Sequence, residues 1–96
     1  MTALVIGTLK MHDPAWTSEY GPRQAALVEK HNGRYLNAPG KVEKLEGAGD
    51  VPDAIVVIEF PDQAHALDWY ADPEQPPLIE LRQSGASTDL FVINAK

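Results

Sequence analysis

Asp53 to Phe60 reads Asp-Ala-Ile-Val-Val-Ile-Glu-Phe, and no other stretch of the chain limits its fold so strongly. A β-branched run without polar alternation predicts a strand covered on both faces. Thr2–Met11 has the same character: Leu4, Ile6 and Thr8 fall on one side, Val5, Gly7 and Leu9 on the other, and both sides are largely apolar. With 96 residues the chain is expected to form one domain over 1–96 with a small core. Its helices can cover one side of a sheet, so the other side needs a cover from elsewhere.

The remaining elements follow from punctuation. Asp13-Pro14 opens a helix, with Asp as cap and Pro at the first helical position. Trp16, Tyr20, Leu27 and His31 fall on one stripe of it, Gly21-Pro22 should kink or split it, and Gly33 should end it in the left-handed conformation. Arg34–Asn37 reads as a short strand, Pro39-Gly40 as a turn, and Lys41–Glu46 as a return to extended structure. Residues 47–53 read as a loop. A second helix starts at Pro61-Asp62 with Ala66, Leu67 and Tyr70 inward, and stops at Asp72-Pro73. Pro76-Pro77 begins a short helix over Leu78–Ser84 that Gly85 closes, and Thr88–Ala95 is the last strand. The order β-α-β-β-α-β predicts an α+β, ferredoxin-like domain with an antiparallel sheet and helices on one face. The uncovered face then predicts a homodimer, sheet against sheet, forming a dimeric α+β barrel.

Composition removes several function classes. Fourteen acidic against eight basic residues give a net charge of −6, so no nucleic-acid partner is expected, since phosphate binding needs a basic face. There is no cysteine, hence no disulfide, thiolate metal site or redox switch. The three histidines lack ligand spacing; His12 and His65 read as incidental, and no metal or cofactor is expected. The start, Met-Thr-Ala-Leu-Val-Ile, has no basic region or long apolar run, so neither leader nor membrane association is expected and a cytoplasmic location follows by default.

These residues also resemble a known family, the domain-of-unknown-function family 1330. The resemblance runs nearly end to end: Asp13-Pro14, Tyr20, His31-Asn32-Gly33-Arg34-Tyr35 (usually His-Gly-Gly-Arg-Tyr in the family), Leu45-Glu46-Gly47, Val57-Ile58-Glu59-Phe60-Pro61, Trp69-Tyr70 and Leu81-Arg82. It implies the barrel dimer and assigns no reaction. Asn32 departs mildly from the pattern and keeps its turn chemistry. At Pro73-Glu74-Gln75 the family commonly has Pro-Glu-Tyr, so a tyrosine expected near the pocket is missing.

The expected site is a pocket between helices and sheet, lined by Tyr20, His31, Arg34, Tyr35, Glu59, Trp69 and Arg82. Glu59 shares a strand face with apolar neighbours, where a carboxylate must be paired, hydrated or protonated. His31 falls in the last turn of the first helix, as a proton carrier or as a cap on loose carbonyls. His31, Arg34 and Glu59 are expected to meet in one cluster. His31 and Glu59 are the candidate catalytic acid-base pair; Arg34 and Arg82 are candidate anion clamps; Tyr20, Tyr35 and Trp69 complete the candidate binding set. This predicts a small-molecule-binding protein for a carbonyl or carboxylate compound, with a cofactor-free enzyme and a non-catalytic dimer holding a buried polar network as alternatives.

Overall fold

The computed structural model describes residues 2–37 and 40–95. In chain order the elements are strand β1 (Ala3–Met11), a 3-10 turn (Pro14–Trp16), helix α1 (Thr17–Lys30), strand β2 (Arg34–Tyr35), strand β3 (Ala54–Phe60), helices α2 (Gln63–Tyr70) and α3 (Gln75–Gln83), and strand β4 (Ala86–Asn94). The sheet has the order β2-β3-β1-β4, and every pairing is antiparallel. This is the ferredoxin-like arrangement that the element order predicts.

Register sorts the residues onto two faces. Val5 pairs with Ile58 and Val92, Ala3 with Phe60, and Gly7 with Val56 and Leu90; these face the helices. Ile6 pairs with Val57 and Phe91, and Leu4 with Glu59 and Ile93; these face away. Under the helices, Phe60, Ile58, Val28, Leu27, Leu78 and Trp69 form the main core, and Leu9, Trp16 and Ala86 a smaller one. On the other face Phe91 is 60% and Ile93 48% exposed. Successive side chains thus meet opposite surroundings, and both sets are apolar, which is why β1 and β3 read as apolar throughout.

Four local expectations are corrected. Asn32, with φ 63°, takes the left-handed position, not Gly33. Gly33 N–H donates to the Val28 carbonyl (2.9 Å) and Asn32 N–H to that of Glu29 (3.0 Å), the paired bonds of a Schellman ending. Gly33 is needed for space: a Cβ there would lie 2.6 Å from the Phe60 ring. Second, α1 runs unbroken through Pro22. Gly21, Pro22 and the Ser18 carbonyl's residue are exposed, so water can satisfy the carbonyl that proline cannot. Third, Lys41–Glu46 forms no strand; Leu45 is exposed, so the segment has no docked apolar face. The Pro39-Gly40 turn falls partly outside the described residues. Fourth, α2 buries Ala66 and Trp69 and leaves Leu67 and Tyr70 exposed, because the indole stacks beside Phe60 at 5.5 Å.

Candidate functional site

Three helices bring amides and one guanidinium under the sheet's covered face. On α1, Tyr20, Gln24 and Leu27 follow one stripe; on α3, Gln75, Leu78 and Arg82 follow another, and Gln24, Gln75 and Arg82 are buried. Gln24 Nε2 donates to Gln75 Oε1 (3.0 Å) and Tyr20 Oη (3.2 Å), while its Oε1 accepts from the Trp69 indole N–H (2.9 Å). Gln75 Nε2 donates to the Trp69 carbonyl at 3.1 Å. Each amide thus answers the other's desolvation, as a buried polar group must.

Arg82 ends this network and breaks its rule. It is 6% exposed. Its Nη1 donates to Tyr20 Oη at 3.1 Å, its Nε is buried without a partner, and no carboxylate among the described residues pairs with it. Arg82 forms part of the wall of a cavity of about 340 Å³ between α2, α3 and β4, at the small end of ligand sites, roughly 300–1,000 Å³. Thr88, across from it on β4, also lines the cavity, and its hydroxyl is buried without a partner. Val5, Ala66, Leu90, Val92 and Trp69 supply apolar wall, and Leu67, Tyr70, Gln83 and Phe91 complete the lining. Arg82 and Thr88, two of the residues that line the cavity, thus each hold a buried polar atom without a partner.

A second polar group closes α1 against the loop before α3. Asp72 is buried. It accepts from Glu74 N–H (2.8 Å), His31 Nε2 (2.7 Å) and Lys30 Nζ (3.0 Å). The Glu74 N–H first, then His31 and Lys30, hold its carboxyl well below the usual carboxylate range. Lys30 is raised by the same contact with Asp72.

The structure brings only part of the expected cluster together. Arg34 Nε donates to Glu59 Oε1 at 2.7 Å, on the face of the sheet away from the helices. His31 joins Asp72 instead, on the helical side, so the three do not meet, and His31 and Glu59 form no pair. The reason is parity: Glu59 alternates with Ile58 and Phe60, and these take the core side. Tyr35, opposite Ile58, is 41% exposed, yet desolvation of its phenol, helped by nearby Tyr20, pushes its pKa up to about 12. Trp69 and Arg82 line the cavity and Tyr20 backs Arg82. His12 pairs with Ser87 and His65 with Asp62. Sequence reasoning missed Gln24, Gln75, Asp72 and Thr88. Among the described residues no three acidic or histidine side chains converge as a metal site needs, and no helix is long and apolar enough to cross a membrane.

A four-stranded antiparallel sheet with helices on one face and a polar-ended cavity beneath them defines a ferredoxin-like α+β protein. The chain belongs to the family described as Domain of unknown function (DUF1330), whose model matches residues 2–95. No curated protein matches it. Among solved structures it is similar to RPA0582, a protein of unknown function from Rhodopseudomonas palustris (TM-score 0.77, 16% identity, 99% of this chain and 82% of that one). It is also similar to SnoaB, a cofactor-independent oxygenase from Streptomyces nogalater (TM-score 0.67, 11% identity, 99% and 93%). A third is a dimeric protein of unknown function and ferredoxin-like fold from Bacteroides fragilis (TM-score 0.59, 13% identity, 97% and 95%). At these identities the likeness is one of fold.

Proposed function

We propose that this protein binds a small carbonyl or carboxylate compound in the cavity between α2, α3 and β4, as a homodimer joined through the open sheet face. The observation that carries the binding reading is the buried, carboxylate-free guanidinium of Arg82. A charge taken out of water costs several kcal/mol (about) unless something answers it, and here only Tyr20 does; an incoming acceptor supplies the rest. The dimer reading is supported by the exposed Phe91 and Ile93 beside Ile6 and Val57, and by neighbours of this fold described as dimeric.

A second reading, a cofactor-free enzyme acting in the same cavity, is favoured by the fold shared with SnoaB. A His31–Glu59 acid-base pair is no part of it, because the two side chains are engaged with Asp72 and Arg34. Binding residues under either reading are Arg82, Trp69 and, through Arg82, Tyr20. Thermal-shift screening of small acids and ketones against the wild-type protein and Arg82→Met tests the site. Stabilisation by at least one class, lost in the variant, is the expected result; hits that persist undiminished in Arg82→Met overturn it. Light scattering should give twice the chain mass.

A further inference from the structure

We infer that a second copy of the chain completes each cavity: the arm between β2 and β3 lays the partner's Leu45 over the cavity's mouth. This rests on the dimer and cavity readings above. Single exposed apolar side chains are ordinary on a protein surface, but here the large ones gather at two places. Tyr35, Leu36 and Leu45 belong to β2 and the arm that follows it; Leu67, Tyr70, Phe91 and Ile93 belong to α2 and β4. The sheet order β2-β3-β1-β4 makes β2 and β4 its opposite edges. Leu67, Tyr70 and Phe91 line the cavity and are exposed, so they form its rim. Phe91 opposes Ile6 on the open face and still touches the cavity, which places the mouth at the side of β4 that has no neighbouring strand. Phe91 and Ile93, two apart on one face, carry the apolar surface from the rim onto the open face.

The other edge supplies the cover. The described residues between Tyr35 and Ala54 form no helix or strand, and connections of that length are uncommon unless they serve a function or a linkage. Both roots of this arm are pinned. Asn37 Nδ2 donates to the Ile55 carbonyl (2.7 Å) and its Oδ1 accepts from Val57 N–H (2.9 Å). Asp53 N–H donates to the Leu9 carbonyl (2.7 Å), and its carboxylate accepts from Met11 N–H (2.6 Å). Leu45 stands midway, eight residues from Asn37 and eight from Asp53, and is 92% exposed. Eight residues of extended chain span at most roughly 26–29 Å, and packed sheets lie about 10 Å apart. Such an arm can pass the partner's sheet edge and reach the helices behind it. In a two-fold dimer, residue i meets j and j meets i. An axis running along the strands, between the two sheets, sets each β2 edge against the partner's β4 edge, arm to mouth. An axis across the strands would set arm against arm and mouth against mouth. The first arrangement covers both apolar groups at once, and burial of apolar surface favours it.

The chain has no cysteine, so a nitroxide attached to Leu45→Cys sits at one place. Mixed dimers, refolded together from isotope-labelled wild type and unlabelled nitroxide-bearing Leu45→Cys, report contacts between copies alone. The nitroxide should broaden the wild-type amide signals of Leu67, Tyr70 and Gln83 and leave those of Ser18 and Gly21, exposed on α1, sharp. Glu46→Cys, exposed on the same arm, repeats the measurement if the first label disturbs assembly. Leu45→Ser should keep the protomer's melt and raise the dimer Kd about ten-fold or more, since each dimer loses two covered leucines. Broadening confined to the arm or to β3 in a protein that light scattering shows to be dimeric overturns the arm-to-mouth inference and leaves the dimer standing. An unchanged Kd in Leu45→Ser does the same. A monomeric wild type takes the dimer reading and this inference down together. The thermal-shift screen of the cavity is decided separately from all of these results.

Discussion

Arg34 and Arg82 belong to opposite sides of one sheet, and their surroundings are reversed. Arg34, with a side chain 71% exposed, has a carboxylate 2.7 Å away in Glu59. Arg82 is buried and has none. In water a guanidinium is well solvated and its ion pair adds little; under the helices it is costly and answered by Tyr20 alone. A charge that folding alone would disfavour is where a ligand has something to gain. The two sides differ in apolar residues as well: those under the helices meet partners within the chain, while on the side of Arg34 Phe91 and Ile93 stay exposed, where we propose a second copy.

The sharpest way to break this contrast is to place the same charge on adjacent residues of β3. Val56 opposes Gly7 and packs against both core clusters; Val57 opposes Ile6 on the open face. Val56→Asp puts an unpaired carboxylate into the core, a cost of several kcal/mol (roughly) against a total stability of about 5–15, and should leave little folded protein by circular dichroism. Val57→Asp should keep the protomer's fold and dissociate the dimer, seen as a halved mass in light scattering. A folded dimer from Val57→Asp would end the sheet-to-sheet assembly.

The buried network comes next. Gln24→Leu removes the acceptor of the Trp69 indole and a partner of Gln75. It should lower stability by roughly 1–3 kcal/mol, the range for stranding buried polar groups, in urea melts. Asp72 gives the pH arm. Its carboxyl is held low by the Glu74 N–H, His31 and Lys30. A depressed folded pKa contributes stability that is full above the unfolded value of about 3.9 and is lost as pH falls through the folded value. Melting temperature should therefore drop below about pH 4, and Asp72→Asn should start lower and flatten that acid limb. Arg82→Met replaces an uncompensated charge with an apolar chain of similar length, so it should cost nothing or add about 1 kcal/mol. A loss of more than about 2 kcal/mol would show that the guanidinium is part of the fold's own support.

The sequence made the layers legible because they depend on pattern. The Ile55–Ile58 run, the Asp13 cap and the Pro61-Asp62 break led to β3 and to the starts of the first turn and α2. Parity was not legible in a strand apolar throughout: nothing in Val56-Val57 says which faces the helices, and the same ambiguity hid Glu59's direction. Of the site, Arg82, Trp69 and Tyr20 could be named in advance. Gln24 could have been, since it is the stripe position between Tyr20 and Leu27, but a glutamine reads as surface until a second amide is known to lie opposite it. Gln75 and Asp72 carry no such signal; their partners lie 51 and 41 residues away, on α1 and at its C-terminal cap. Thr88 matters only through the cavity beside it.

The smallest expected effect belongs to the ion pair on the open face. Side-chain exposures of 71% for Arg34 and 29% for Glu59 describe a pair that water still reaches, and such pairs are worth about 0–1 kcal/mol. Glu59→Gln in the dimer should therefore cost under about 1 kcal/mol, and added salt should shrink the difference further by screening. Arg34 pairs from β2 at the sheet's edge, so the same measurement reports how far the partner reaches. If the pair stays at the rim of the interface, the variant dimerises as the wild type does. A cost of several kcal/mol (roughly) that salt leaves unchanged, with weakened dimerisation, would mean that the second copy buries the pair. Arg34 would then resemble Arg82 in burial and differ from it only in having its carboxylate built in.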